Sequence, residues 1–562
     1  MIILGLNYAF HDSTACLVRD GELIAAIEEE RLSRDKHTTD FPRLCVDKCL
    51  EVAGMDYGDI DHIAVSIKPT HMWKEKLFYG LRNMRNIRSF AKRELSLSRG
   101  RQQQLNYFLS AHWPQKHSRP AVHYIEHHLS HAAGSFYVSP YEEAALLGID
   151  GSGEWATTWL GAGRGNSIEC FGESLFPHSL GSFYEAVTEF CGFRPNYDEG
   201  KTMGLAPLGD PEHFYEVVSK IISVDEEGQV TIDLSFFSYQ HHGRQRCAPK
   251  FYKIFGLPRE PDAPFEQRHL DMAAAAQRVL EDRALELCEV LYEKTQADYL
   301  VVAGGVSLNS VMNGRIVRES KFKDVYVMPA AGDNGTAIGA AYYLYNGLLG
   351  KERNFIHSNP YVGTEYSNSE IIQLLKKYKL QHEVHENISS AAADLLQEGN
   401  IIGWFQGRME IGPRALGNRS ILANPAILDM KDKINAEVKH REAYRPFAPS
   451  TTVEAKDEFF NLTVEAPFML KVCDVLPEQR GRIPAVTHVD GSARLQTVRR
   501  ETNAPYYDLI TALGERTGVP VVLNTSFNIQ GEPIVESPRD AIRCFFSTGL
   551  DVLVIGNCVV RK

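Results

Sequence analysis

Short apolar runs separated by polar turns set the pattern at the start of the chain. Ile2 to Leu6 reads as a buried strand, Asn7 to Ser13 as a polar turn and Thr14 to Val18 as a second strand. Asp20-Gly21 is a hairpin signal, and Glu22 to Ile27 continues as a third strand. The plan returns over 144–174: Ala144 to Ile149 is a strand, Asp150 to Glu154 a polar turn and Trp155 to Leu160 a strand. Gly161 to Asn166 is then a turn and Ser167 to Ser174 a strand. Two such units, each followed by helical and βα material, predict an α/β domain built by duplication, with a cleft between its halves.

Other stretches fill in around this repeat. Leu180 to Phe193 reads as helix, and residues 215–265, acidic, aromatic and Pro-containing, as a surface excursion. Gln267 to Gln296 has apolar residues at helical spacing. Tyr299 to Ala303 is a buried strand that ends in Gly304-Gly305. Val325 to Met328 is another, and it delivers Gly332-Asp333-Asn334-Gly335 to a helix over 336–346. Lys351 to Ser369 is polar, with Pro360 and Gly363. The expected organisation is a first domain at 1–355, a linker at 356–369 and a second domain at 370–562.

Composition narrows the class. With 562 residues the chain is too long for one core, and 44% hydrophobic with 23% charged residues is ordinary for a globular protein. The net charge of −12 does not favour a nucleic-acid partner. No charged-then-apolar leader precedes the first strand, and the longest weakly polar run, Ala337 to Leu349, is too short to span a bilayer. The ten cysteines are scattered without a CxxC pair. A cytoplasmic protein with no membrane partner is expected. From Lys74 to Arg119 many cations face only Glu75 and Glu94. A solvent-exposed helix ranks first for this segment, a ligand-facing helix second and a nucleic-acid surface third.

Three groups of residues carry chemistry. His127 and His131 are four apart, on one face of a helix, and can grip a metal ion. No Glu lies between them, so a peptidase site is not supported. Asp150 and Asp333, each at a strand end, would complete a mixed N/O site. The competing reading makes the histidines polar residues of a surface helix and Asp333 a helix N-cap. Lys201, flanked by Gly200 and Gly204, would neutralise a phosphate approached by backbone amides. Gly304-Gly305 with Asn309 forms a strand-to-helix nucleotide corner. Beyond residue 370, arginines recur at Gly- and Pro-rich turns rather than on helix faces, in Gly407 to Ser420 and Lys439 to Pro449, then at Arg494, Arg499 and Arg500. Asn524 to Asn528 closes the series. Guanidinium groups at turns point to a second, phosphate-handling domain.

Seven segments occur in order: EHHLSHAAGSFY, DEGKTMGLAP, AGGVSLN, GDNGTAIGAA, GRMEIGPRALGNRSILA, REAYRPFAPS and LNTSFN. Through them the chain resembles, over essentially its whole length, the ATP-dependent O-carbamoyltransferases of the NodU/CmcH family, which also includes the tobramycin carbamoyltransferase. The strand–turn repeat likewise resembles the duplicated RNase H-like fold of actin, chaperones and sugar kinases. The resemblance implies a TsaD-like N-terminal domain and a YrdC-like C-terminal domain. It implies that His127, His131, Asp150 and Asp333 hold Fe2+ or another divalent metal. Gly304, Gly305 and Asn309 would hold the adenylate, with Lys201 and Gly204 also at the nucleotide. Arg414, Lys439, Arg445, Arg494, Asn524 and Ser526 would bind carbamoyl phosphate and ATP with Mg2+. His11 would act as catalytic base, with Asp12 orienting it or serving a structural role. The expected partner is a small-molecule hydroxyl acceptor, as in natural-product or antibiotic biosynthesis. A threonylcarbamoyl tRNA-modifying enzyme and an actin-like nucleotide-binding protein or kinase are the alternatives. The latter leaves the arginine-rich second domain without a purpose.

Overall fold

The computed structural model describes residues 1–8, 11–69, 71–82, 87–115, 119–241 and 245–562, except for the side chains at 77, 78, 80–82 and 87–99. Two compact units are formed. One comprises Met1–Glu29, His37–Asn309 and Ile316–Ile356, the other Glu30–Lys36, Ser310–Arg315 and His357–Lys562.

The first unit opens with β1 (Ile2–Asn7), β2 (Thr14–Arg19), β3 (Glu22–Glu28), β4 (His62–Val65) and β5 (Ala121–Tyr124), in the sheet order β3-β2-β1-β4-β5. The first three strands pair antiparallel, and β4 and β5 continue parallel to β1. The second sheet is built from β6 (Glu143–Ile149), β7 (Ala156–Arg164) and β8 (Ser167–Leu175). After a small antiparallel pair, β9 (Ile222–Val224) and β10 (Val230–Ile232), come β11 (Tyr299–Ala303) and β12 (Asp324–Val327). Its order, β12-β11-β6-β7-β8, and its pairing directions repeat those of the first sheet. The duplicated RNase H-like plan is therefore written in the strand order. The predicted turn at Gly161 is corrected: β7 runs on to Arg164. A Cβ at Gly161 would lie 2.5 Å from the Trp159 ring and one at Gly163 2.5 Å from the Phe136 ring, so these glycines admit aromatic rings against a strand.

The segment 215–265 is also more than a surface excursion. It contributes helix Pro249–Phe255 and buries Phe236, Phe237, Tyr239, Phe251 and Phe255. Phe251 meets Phe190 at 5.4 Å and Phe237 meets Phe183 at 6.1 Å, which makes a satellite aromatic core. The basic segment contains helices Trp73–Arg82 and Ile87–His112. Most of the cations on which its ranking rests (Arg82, Arg85, Arg88, Lys92, Arg93, Arg99 and Lys116) have side chains outside the described residues. Among the described residues no helix is long and apolar enough to cross a membrane.

The helix Thr336–Tyr342 is buried throughout and packs on both β1 and the helix His127–Phe136. The approach is close. A Cβ on Gly339 would stand 1.7 Å from the Ser130 carbonyl oxygen, one on Gly134 2.9 Å from the Gly339 Cα, and one on Gly5 2.2 Å from the Ala337 oxygen.

In the second unit, β13 (Glu383–Val384), β14 (Ile402–Phe405), β15 (Arg419–Ala423), β16 (Ala448–Thr452) and β17 (Phe460–Asn461) join β18 (Lys471–Val475), β19 (Ser492–Val498), β20 (Val521–Ser526), β21 (Val552–Ile555) and β22 (Cys558–Arg561). They form one mixed sheet ordered β13-β22-β21-β14-β15-β20-β16-β19-β18-β17. Trp404, Leu422, Tyr506, Leu509, Ile510, Leu513, Val522 and Val554 are the centre of its core, together with helix Ile388–Gln397. The stretch expected as a linker belongs to this unit from His357 onward. Its backbone pairs with the glycine-rich loop, Ile411 N donating to Pro360 O, Gly363 N to Met409 O and Met409 N to Thr364 O. Polar composition concealed this role because these polar backbone groups bond to one another. Arg31 and Arg34 serve the same unit, donating to the carbonyls of Gly412, Pro533 and Ile534.

Gly339→Ala is expected to destabilise the first unit by about 1–3 kcal/mol or more, since a methyl group would be forced onto a backbone carbonyl. Denaturant unfolding of the variant, with an unchanged midpoint as the contrary result, checks this.

Candidate active site

His127 and His131 lie on the helix His127–Phe136, and both are buried, as is His128. The surface-helix reading of this stretch is thereby overturned. Glu126 caps the helix, its carboxylate accepting from the amides of His128 at 2.7 Å and Leu129 at 2.5 Å. Glu154 accepts from the His127 amide at 3.1 Å and the Lys68 amide at 2.6 Å. The helix start is thus held by two carboxylates, which suits the positive end of its dipole.

Onto this helix converge Asp150, from the turn after β6, and Asp333, from the turn after β12. His127 Nε2 is 3.2 Å from Asp150 Oδ2 and 3.5 Å from Asp333 Oδ1. His131 Nε2 is 3.7 and 3.4 Å from the same two oxygens, and the two Nε2 atoms are 3.1 Å apart. One donor atom from each of the four residues falls within a set no more than 4.8 Å across. Two ligand atoms at about 2.1 Å from one ion stand roughly 3 Å apart when at right angles, so the spacing fits a metal. The donor set, two imidazoles and two carboxylates, suits a divalent transition metal. The N-cap alternative for Asp333 does not hold either, because Gly332 occupies that position.

Electrostatics point the same way. Burial opposes charge on His127, but Asp333 and Asp150 outweigh it and hold the imidazole well above its ordinary value. His131 is raised as well, by Asp150 and Asp333 against burial. Burial works against Asp150 and Asp333, yet the two histidines pull both below the usual carboxylate range. The pocket demands positive charge, which protons or a metal can provide.

The Asp150 turn is fixed by its neighbours. Gly305 N donates to Asp150 Oδ1 at 3.0 Å, and Ser179, the cap of helix Leu180–Phe190, donates to the carbonyls of Asp150 at 3.2 Å and Gly151 at 2.7 Å. Gly304, at φ 91°, would carry any Cβ 2.3 Å from the Ile149 oxygen. Gly304 and Gly305 therefore support the Asp150 turn directly. Asn309 exchanges amide hydrogen bonds with Gln277 at 2.9 and 3.0 Å. The loop expected around Lys201 is corrected: Gly200 and Gly204 lie within helix Glu199–Leu205, and Lys201 pairs with Asp198 at 3.2 Å.

In the polar turn after β1, Asp12 Oδ1 lies 2.7 Å from His37 Nδ1. Asp12 is thus paired with His37 and not with His11. Asn7 Nδ2 donates to the carbonyls of His11 at 2.9 Å and Asp12 at 3.2 Å, and Asn7 Oδ1 accepts from Ser66 Oγ at 3.0 Å. Thr336 Oγ1 lies 3.0 Å from Ser66 Oγ and 2.7 Å from the Asp333 carbonyl. A buried chain of side chains thus joins this turn to Asp333.

The second unit has a different site. Arg414 comes from the glycine-rich loop between β14 and β15, Lys439 and Arg445 from the approach to β16, and Arg494 from β19. Arg414 is pushed down to about 10 by burial and by Arg445. Arg494 is held well below its usual range by burial and by Arg414, Arg441 and Arg445. Arg441 is pushed down to about 9 by burial and Arg445, which adds it to the group. The sequence contained the signal, an arginine two residues after Lys439, but gave no means of ranking it above its neighbours. Burial and then Arg441 hold Lys439 well below its normal value. Its ammonium bonds Ser526 Oγ at 3.3 Å, Asn528 O at 3.0 Å and Asn528 Oδ1 at 2.9 Å, and it also bonds the Ser526 carbonyl. Asn524 Nδ2 donates to Ala415 O at 3.2 Å, Ser450 Oγ at 3.2 Å and Gln496 Oε1 at 3.0 Å, beneath the Arg414 loop. Buried cations that depress one another mark a place for an anion.

Family models decide the lineage. That described as Carbamoyltransferase N-terminus matches residues 2–342, and that described as Carbamoyltransferase C-terminus matches 393–562. The chain belongs to the carbamoyltransferase family. Protein sll1178 of Synechocystis sp. is 40% identical over 599 residues, covering 100% of this chain and 96% of that protein. Nodulation protein NolNO of Sinorhizobium fredii is 38% identical over 565 residues, covering 99% and 80%. The 3'-hydroxymethylcephem-O-carbamoyltransferase of Amycolatopsis lactamdurans is 35% identical over 370 residues, covering 64% of each. The NodU/CmcH membership expected from the seven segments is established, and with it a carbamoyltransferase-type enzyme.

The sign of each shift gives a pH prediction for the metal-free protein. His127 and His131 are raised above 6.5, so their contribution to stability is complete below that value and is lost as pH rises through the raised one. Asp150 and Asp333 are lowered below 3.8, so theirs is complete above that value and is lost as pH falls through the depressed one. A divalent metal replaces the imidazole protons. The stabilisation on adding Zn2+ or Fe2+ should therefore grow from about pH 5 to about pH 8. Thermal unfolding with and without metal tests this; a gain that shrinks over that range is the contrary result.

Proposed function

We propose that the protein is an ATP-dependent O-carbamoyltransferase. In this reading the second unit turns carbamoyl phosphate, ATP and water into carbamoyladenylate, phosphate and pyrophosphate. The first unit then passes the carbamoyl group to a hydroxyl of a small molecule. The observation that carries the proposal is the cation cluster of Arg414, Arg441, Arg445 and Arg494, which suits phosphoryl oxygens rather than protein carboxylates. Glu442, 3.9 Å from Arg445, is the acid paired with it among the described residues. Membership in the carbamoyltransferase family and the name of the cephem-modifying relative support the chemistry.

The division of labour follows from reactivity. A carbamoyl group is a poor electrophile because nitrogen donates into its carbonyl, and coupling to AMP supplies a better leaving group. Arg414, Arg445 and Arg494 bind the phosphoryl groups by charge-assisted hydrogen bonds. Lys439, already bonded to Ser526 and Asn528, fixes the end of β20 and adds its charge. His127, His131, Asp150 and Asp333 would hold the divalent metal, which when bound orients the adenylate phosphate and offsets charge on departing AMP. Asp150, Gly304 and Gly305 shape the adenylate side of that site. The acceptor falls among alcohols such as hydroxymethylcephems, aminoglycosides and sugars.

Arg414→Ala and Arg445→Ala should each cut pyrophosphate release from ATP and carbamoyl phosphate by roughly 10- to 150-fold, a lost charged hydrogen bond being worth roughly 1.5–3 kcal/mol. Metal content should stay at the wild-type level. In the wild type, inorganic phosphate should raise the melting temperature, and in Arg414→Ala this effect should largely vanish. Wild-type pyrophosphate release in both variants would contradict the assignment.

A further inference from the structure

His11 was expected as the base, with Asp12 orienting it or serving a structural role; Asp12 has its Oδ1 2.7 Å from His37 Nδ1. The contact is held by backbone that resists it. Asp12 has φ 50° and His37 φ 57°, both left-handed, and each such residue costs roughly 1 kcal/mol or more outside glycine. Asn7 pins the carbonyls of His11 and Asp12, and Thr14 Oγ1 donates to the Asp12 carbonyl at 2.8 Å. A third left-handed residue, Asn196 at φ 66°, delivers Tyr197. Its ring meets the His37 imidazole edge-on at 4.8 Å, carries the Arg194 guanidinium at 3.6 Å and stands 6.3 Å from the His11 ring. The Asp12 and His37 side chains are 29% and 23% exposed, so a ligand can reach the pair.

We infer that Asp12 and His37 form the acid–base pair that activates the acceptor hydroxyl, with Tyr197 as the wall that sets the imidazole plane. This rests on the carbamoyl-transfer reading. Asp12 accepts the Nδ1 proton and so fixes the tautomer in which Nε2 is the basic nitrogen. The acceptor's O–H proton passes to Nε2 as its oxygen bonds to the carbamoyl carbon. The bond from that carbon to the bridging adenylate oxygen breaks, and AMP leaves with the electron pair. His37 then returns the proton to water, so the products are a carbamate ester, AMP and one proton. The Asp12 carboxylate stabilises the transient imidazolium. In sequence His37 lies 25 positions from Asp12 and belongs to no recognisable catalytic motif, so only the fold reveals the pair.

The test uses the full-length, metal-loaded protein with ATP and carbamoyl phosphate, with glycerol at molar concentration as the probe alcohol and water as background acceptor. Pyrophosphate reports the first half-reaction; AMP and carbamoylated glycerol report the second. His37→Gln and Asp12→Asn should keep the first-turnover pyrophosphate burst and the metal content, while AMP and carbamate-ester formation fall about 100-fold or more. His11→Gln should lose clearly less. Added imidazole should restore part of the second step in His37→Ala, which a purely structural role would not produce. Release of AMP by His37→Gln within threefold of wild type, or a greater loss in His11→Gln, would overturn the inference. If the wild type itself releases no pyrophosphate, the carbamoyl-transfer reading fails, and this inference with it.

Discussion

The crossing of two buried helices at Gly134 and Gly339 is the constraint from which the first unit's site follows. His127 and His131 ride on one helix, and Asp333 stands just before the other. Any side chain at Gly339 would push the Ser130 carbonyl away. The metal-type cluster spans less than 5 Å, so a shift of even one ångström between the helices would separate its ligand atoms. The same helix packs on β1 through Gly5, which ties the polar turn of the first half to the ligands contributed by the second.

Each unit holds charged groups close together in buried surroundings. In the first, two carboxylates sit against two imidazoles in surroundings that penalise every charge. In the second, three or more guanidinium groups and an ammonium depress one another. Natural cores rarely hold such groups without compensation. The two imbalances are of opposite sign: the carboxylates call for a cation, the guanidinium cluster for an anion. Holding charges in place before the ligand arrives reduces the reorganisation that binding and reaction would otherwise require.

Much of this was legible from pattern alone. The strand–turn–strand repeat gave the duplicated sheets, since buried strands in this chain are compact apolar runs ended by polar turns. His127, His131, Asp150 and Asp333 stood at a helix face and two strand ends, which are positions with few structural uses for such residues. Three features escaped because their cause is tertiary. Gly161 and Gly163 looked like turn residues, yet they are strand residues flattened beneath Trp159 and Phe136. Gly200 and Gly204 looked like a phosphate loop, and they are helical. The pairing of Asp12 with His37 depends on left-handed backbone at both residues, a conformation that sequence composition does not announce for Asp or His.

The chain of hydrogen bonds from Asn7 through Ser66 and Thr336 to the Asp333 carbonyl gives these findings one physical sense. Asn7 and Ser66 belong to the first half of the duplication, Thr336 and Asp333 to the second, and all but Asp333 are fully buried. Asn7 uses its amide nitrogen on the carbonyls of His11 and Asp12, which fixes those two residues from below. An unpaired amide or hydroxyl in such a place costs about 1–3 kcal/mol, enough to make the chain of bonds behave as one element. The run of bonds thereby links the Asp333 backbone to the turn that presents Asp12. The halves of the domain meet through this polar contact as well as through apolar packing.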